Sequence, residues 1–149
     1  MREGLLTPAE AAVLDVPALA AFWDSELGRR IRAQGKRVQR ELPFTARFSP
    51  ADLPGPARAA AAMKWRDEFV VVQGVADLAV ILPDQIWLVD LKTDDVARKD
   101  LAEKVRFHEP QLTLYSLALE RLYRRAVPER WLHFLKLRES CAIPAANGN

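Results

Sequence analysis

Apolar positions in this chain recur with two different periods, and the change from one to the other marks out its elements. Leu19, Phe22, Trp23, Leu27 and Ile31 follow at three- and four-residue spacing, the period of one helix face. Thr7 with Glu10 forms a capping-box pattern with Pro8 in the first turn, so helix is expected from Thr7 to about Ala33. Residues 1–16 read as a helical extension, Pro17 starts a second helix, and Gly35 ends it. Val38 to Phe48 predicts a strand in which Pro43 demands an edge position or a bulge. Ser49 to Ala62, with three prolines and a glycine, predicts a surface loop. Two strongly apolar runs follow, Phe69 to Leu82 and Ile86 to Leu91, parted by Pro83, Asp84 and Gln85: a β-hairpin.

Asp94 to Lys104 reads as a polar connection, and Pro110 opens a helix running to about Ala126, with Pro128 beyond its end. Trp131 to Leu137 predicts a last strand, and residues 140–149 a disordered tail. Helices, strand, hairpin, helix and strand in that order specify an α/β domain, with a mixed central β-sheet flanked by α-helices and apolar on both faces. At 149 residues a single domain is expected.

Half the residues are apolar and 28% are charged, which excludes global disorder. No basic-then-apolar leader and no long apolar run is present, so a cytoplasmic protein without membrane contact is expected. Cys141 is the single cysteine and cannot by itself hold an iron–sulfur cluster. The net charge of +2 says little, but its distribution says more. Arg29, Arg30, Arg32, Lys36, Arg37 and Arg40 form a run without an acid, and Arg121, Arg124, Arg125 and Arg130 a second group. Such clusters suit a DNA phosphate backbone, or equally a solvated helix face.

Candidate chemistry sits in the hairpin. Asp90 and Lys92 share one face at the end of an apolar strand, and Asp77 is the one acid in the strand before it. Unpaired carboxylates in such a sheet are costly, and a divalent cation held between them removes that cost. Both acids face one ion if Asp77 stands opposite Asp90, which requires an even number of loop residues. Phosphodiester hydrolysis fits this set, because it needs an activated water and positive charge near phosphorus, and Lys92 is placed to orient the water or meet that charge. The main-chain carbonyl of Leu91, between the two side chains, is a further ligand candidate. The plainer reading of Asp90 and Lys92 is an ion pair, and of Tyr115 a core residue beside Leu112, Leu119 and Leu122.

Four segments, Glu41-Leu42-Pro43-Phe44, Gly74-Val75-Ala76-Asp77, Asp90-Leu91-Lys92-Thr93-Asp94 and Gln111-Leu112-Thr113-Leu114-Tyr115, resemble in order and approximate spacing the motifs of the RecB/AddA-type nuclease domain of the PD-(D/E)XK class. The resemblance covers about Phe22 to Leu137. It implies a restriction-endonuclease-like core, Asp77 and Asp90 as ligands of Mg²⁺ or Mn²⁺, and Lys92 as the catalytic lysine. It also implies that Gln111 and Tyr115 complete the site and that Glu41 matches a motif acid among the catalytic residues. It points to a DNA exonuclease acting with a helicase domain or subunit of an AddAB/RecBCD-like complex in break repair. Two departures stand out: no histidine precedes His108, where the family places a ligand upstream, and no GxxxxGK[ST] phosphate loop occurs. A non-catalytic DNA-binding module is therefore the rival class. His108 reads as a residue that caps the helix or approaches the site, His133 as structural, and the four tryptophans, widely dispersed, as packing.

Overall fold

The computed structural model describes residues 15–53 and 68–144. The predicted capping box at Thr7 and residues 54–62 of the predicted loop lie outside them. Helices α1 (Val16–Asp24) and α2 (Glu26–Arg32) precede β1 (Val38–Phe48), β2 (Val70–Ile81) and β3 (Gln85–Lys92). Helix α3 (Leu101–Tyr123) then leads to β4 (Ala126–Phe134) and β5 (Glu139–Ile143). The strands lie in the order β1-β2-β3-β4-β5, antiparallel except for the parallel β3–β4 pair. A parallel neighbour needs a crossover, and α3 supplies it.

The helices divide between the two faces of the sheet. Phe22, Leu27 and Ile31 of α1 and α2 bury against Leu78, Val80, Trp87 and Val89. On the other face Leu112, Ala118 and Leu119 of α3 bury against Ala79, Leu88, Leu132 and Phe134.

Several elements depart from the sequence-based expectation. The first helix breaks at Ser25, whose hydroxyl donates to the Phe22 carbonyl at 2.6 Å and accepts from Gly28 N–H at 3.1 Å, ending one helix and capping the next. Gly35 follows α2 with φ +57, a conformation suited to glycine. Pro110 does not open α3 but lies inside it. It is exposed, so water can satisfy the carbonyl its ring leaves without a donor, while Leu101 and Val105 of the preceding turns pack on the core. Likewise Pro128 lies within β4, at a register shift in which β4 spends one more residue than β3. The expected tail is ordered strand through Ile143: Ile143 pairs with Arg130 and is buried, so the apolar contact outweighs fraying.

His133 on β4 is 1% exposed, beside the Phe22 ring at 4.6 Å, with Nδ1 2.8 Å from Ser140 Oγ. Burial pushes its pKa down from 6.5 to about 4. Between those values the unfolded chain binds a proton that the native state does not, so stability rises with pH across that window and falls on acidification. Comparing denaturant midpoints of wild type and His133→Asn from pH 4 to 7 should show the difference shrinking by at most about 3 kcal/mol as pH falls. Parallel curves would show that His133 does not titrate in this way.

Candidate active site

Across the hairpin, Leu78 pairs with Val89 and Ile81 with Ile86, and Leu82 N–H donates to the Gln85 carbonyl at 2.9 Å. Pro83 and Asp84 are thus the two loop residues, the even number expected. Carried one step further, the register sets Asp77 across from Asp90. There the strands part: Leu91 N–H donates at 2.7 Å to Asp77 Oδ2, a side chain, in place of a β2 carbonyl. Along a strand the N–H and C=O of one residue point to the same edge, so the Leu91 carbonyl is directed into this gap as well. Lys92 faces the other edge through its main chain, where its carbonyl accepts from Leu135 N–H.

A local twist sets the position of Asp77. Ala76 and Ala79 are three residues apart, yet both bury on the α3 side, while Leu78 and Val80 bury on the α1–α2 side. Strict alternation cannot do this. On β1 the same reversal separates Val38 from Leu42 and Phe44, and between them Glu41 has φ +49, a conformation costing about 1–2 kcal/mol for a residue with a Cβ. Arg40 pairs with Leu78 and Leu42 with Ala76, so Glu41 stands across from Asp77. Both strands turn over together, and their pairing register is kept.

Electrostatics tie these groups into one site. Burial, the largest influence, raises the Asp77 carboxyl above its ordinary range; the Leu91 N–H opposes this, the Asp90 charge adds to it, Lys92 opposes it and Glu41 adds to it. Asp90 is 7% exposed. Lys92 Nζ lies 2.7 Å from its Oδ2, but out of line for a hydrogen bond, so that oxygen stays buried and without a hydrogen-bond partner. Lys92 Nζ donates instead to Gln111 Oε1 at 3.0 Å, and Gln111 Nε2 donates to Tyr115 Oη at 3.4 Å. Asp90, Lys92, Gln111 and Tyr115 therefore form one chain of contacts from β3 to α3. The ion pair and the site reading describe the same residues.

Tyr115 stacks edge-on to Phe44 at 4.8 Å and closes over Gly74. A Cβ at Gly74 would meet Tyr115 Oη and Cζ at 2.7 Å, which gives the glycine of the Gly74-Val75-Ala76-Asp77 segment a reason in packing. Gly74→Ala is expected to cost about 1–3 kcal/mol, and less in a Tyr115→Leu background, as read from denaturant midpoints. Equal costs in both backgrounds would show that the Tyr115 contact is not responsible.

Among the described residues no three His, Cys, Asp or Glu side chains are grouped to hold a metal. Two carboxylates and the Leu91 carbonyl make an open oxygen set, which suits a hard cation that keeps several waters. The raised Asp77 carboxyl, to which the Asp90 charge contributes, is the feature that a cation would relieve; Asp90 Oδ2 already has the Lys92 ammonium at 2.7 Å.

The basic run is spread out. Arg30 pairs with Glu129 at 2.8 Å and lies over the Trp87 ring, and Arg29 donates to the Asp24 carbonyl. Arg32, Lys36 and Arg37 are exposed around the α2 end, while Arg40 lines an open cavity with Asp77 and Glu41. In the later group Arg121 pairs with Asp52, and Arg130 is buried against Thr113 and Ser116. Two residues weighed in the sequence without assigned partners find them here. His108 Nε2 lies 2.8 Å from Asp94 Oδ2 and, as the largest of several influences, holds the Asp94 carboxyl below its ordinary range. Trp23 lines the cavity beside Asp77. Neither carries a local signal, because each partner is distant in the chain.

The profile of the PD-(D/E)XK nuclease superfamily matches residues 4–142. The chain is 37% identical to an ATP-dependent helicase/nuclease subunit from Moorella thermoacetica over 133 residues, 88% of this chain and 9% of that protein. Proteins of the same description from Listeria innocua (31% identical, 99% of this chain, 12% of the relative) and Bacillus cytotoxicus (34% identical, 87% and 10%) are similar to it as well. The chain thus spans about a tenth of the length of these relatives. With the mixed sheet and the paired acids at its splayed hairpin, this match over nearly the whole sequence means that the chain belongs to the PD-(D/E)XK nuclease superfamily.

Proposed function

We propose that this chain hydrolyses DNA phosphodiester bonds as the exonuclease domain of a cytoplasmic repair enzyme, using Mg²⁺ or Mn²⁺, and that a helicase segment or subunit feeds it DNA. One observation supports the reading: where β2 and β3 part, the Asp77 carboxylate accepts from the N–H of Leu91, next in the chain to Asp90, whose own carboxylate has Lys92 beside it. Asp77, Asp90 and the Leu91 carbonyl would hold the cation. When bound, a divalent cation supplies Lewis acidity toward phosphoryl oxygens and offsets the repulsion between the two carboxylates. Lys92 presents its ammonium to the negative charge that develops on the phosphoryl group. Gln111 accepts from that ammonium and is itself met by Tyr115, so the lysine is held rather than left to search rotamers. Arg40 and the other cations of the basic run would attract the phosphate backbone, Arg40 nearest the acids.

The test is cleavage of end-labelled single- and double-stranded DNA with Mg²⁺, with Mn²⁺ and with EDTA. Products are expected with either metal and none with EDTA. Failure to cut either substrate across a full titration of both metals would favour the rival, a nuclease fold that binds DNA without hydrolysing it.

A further inference from the structure

The cavity that Asp77 borders has a volume of about 660 Å³. That is within the roughly 300–1,000 Å³ of small-ligand sites. Leu19, Trp23 and Leu91 give it an apolar wall, Arg40 and Lys136 a basic one, and Asp15, Glu41 and Asp77 an acidic one; Lys136 also pairs with Asp95 at 3.3 Å. An apolar wall beside a phosphate-cutting centre has no use against a duplex, which presents sugars and phosphates outward and keeps its base faces stacked. A single strand offers unstacked bases, and aromatic and guanidinium planes are what such bases stack on.

Trp23 and Arg40 are already arranged as such a layer. The Arg40 guanidinium lies 5.3 Å from the centroid of the Trp23 ring, and Phe22 supports that ring edge-on at 5.0 Å. A stacked guanidinium keeps its in-plane N–H donors at the rim, available to a phosphate. Arg40 precedes Glu41 and pairs with Leu78, so it stands one residue from Asp77 across the ladder.

We infer that this cavity is a nucleotide subsite. It takes one unstacked nucleotide next to the scissile phosphate, with the base against the Trp23–Arg40 layer and the flanking phosphate on Arg40 and Lys136. The inference rests on the hydrolytic reading of Asp77 and Asp90 for its place in the reaction.

Binding measured without cleavage tests it separately from that reading. Dye-labelled oligothymidylate and a base-free strand of the same length and charge are compared by anisotropy in EDTA, with the 149-residue chain. Wild type is expected to bind the base-bearing strand about tenfold more tightly, and Trp23→Leu to lose that preference. Arg40→Gln, at an exposed position, is expected to weaken both strands several-fold and to lower the salt dependence by about one counterion. Equal binding of the two strands by wild type overturns the subsite, as does a preference that survives Trp23→Leu or an Arg40→Gln variant with unchanged affinity. A chain that discriminates between the strands but never cuts would keep the subsite and overturn the hydrolytic reading; one that cuts without discriminating would do the reverse.

Discussion

Asp90→Asn is expected to slow phosphodiester cleavage by on the order of a thousandfold while moving the melting temperature little. Asparagine keeps the shape and one oxygen of the aspartate but removes the charge that a cation would bind. Two effects on stability oppose each other. Asp90 is buried, with an oxygen that makes no hydrogen bond, so neutralising it relieves desolvation. Lys92 loses its counter-ion but keeps its hydrogen bond to Gln111. Binding of Mn²⁺, followed by calorimetry, should vanish along with cleavage. Wild-type cleavage by the Asn variant would remove Asp90 from the chemistry and reduce the Asp90–Lys92 contact to a structural ion pair. Lys92→Ala makes a useful contrast: it should also abolish cleavage, yet at a cost in stability, because it leaves a buried carboxylate with no cation beside it.

Gly28→Ala is expected to produce the largest loss of stability from a single added methyl, about 3 kcal/mol or more. A Cβ there would lie 2.0 Å from the Phe22 carbonyl oxygen and 2.7 Å from Trp23 Cα, both main-chain atoms. No side-chain rotation relieves that contact. α1 and α2 would have to separate at Ser25, pulling Phe22 from the core. For a domain of this size the melting temperature should fall by about 6–12 °C. Gly28→Ala tests the α1–α2 corner, and a melting temperature within a degree or two of wild type would show that the two helices do not meet as described.

The placement of Asp77, Asp90 and Lys92 was legible because strand geometry makes side-chain position a matter of counting. Two apolar runs around a short turn permit few registers, and Asp77, Asp90 and Lys92 can share a site in only some of them. The observed register is one of these. The shared face of Gln111 and Tyr115 was legible for the analogous reason on a helix, where residues four apart lie together, whereas their expected place in the site came from the resemblance. Pro43 was read as a residue of an edge or a bulge, where a missing N–H is tolerated, and β1 is an edge strand. Proline misled at Pro110, which lies inside α3, whereas Pro128 does lie beyond the end of that helix, in a strand that starts earlier than expected. Whether a proline ends an element depends on solvent reaching the orphaned carbonyl and on what the flanking residues bury, and neither is a local property.

The alternation of apolar residues by itself determined an α/β domain with a mixed sheet, the hairpin and the acid–lysine motif at its end. The tertiary structure alone decided three further things. It turned β1 and β2 over together at Glu41 and Asp77, made strand of residues 140–143, and set Trp23 and Arg40 along the cavity that Asp77 borders. All three depend on pairing between segments far apart in the chain. Periodicity reports which side of its own element a residue occupies, whereas only the packed sheet fixes what stands on the other side of the gap.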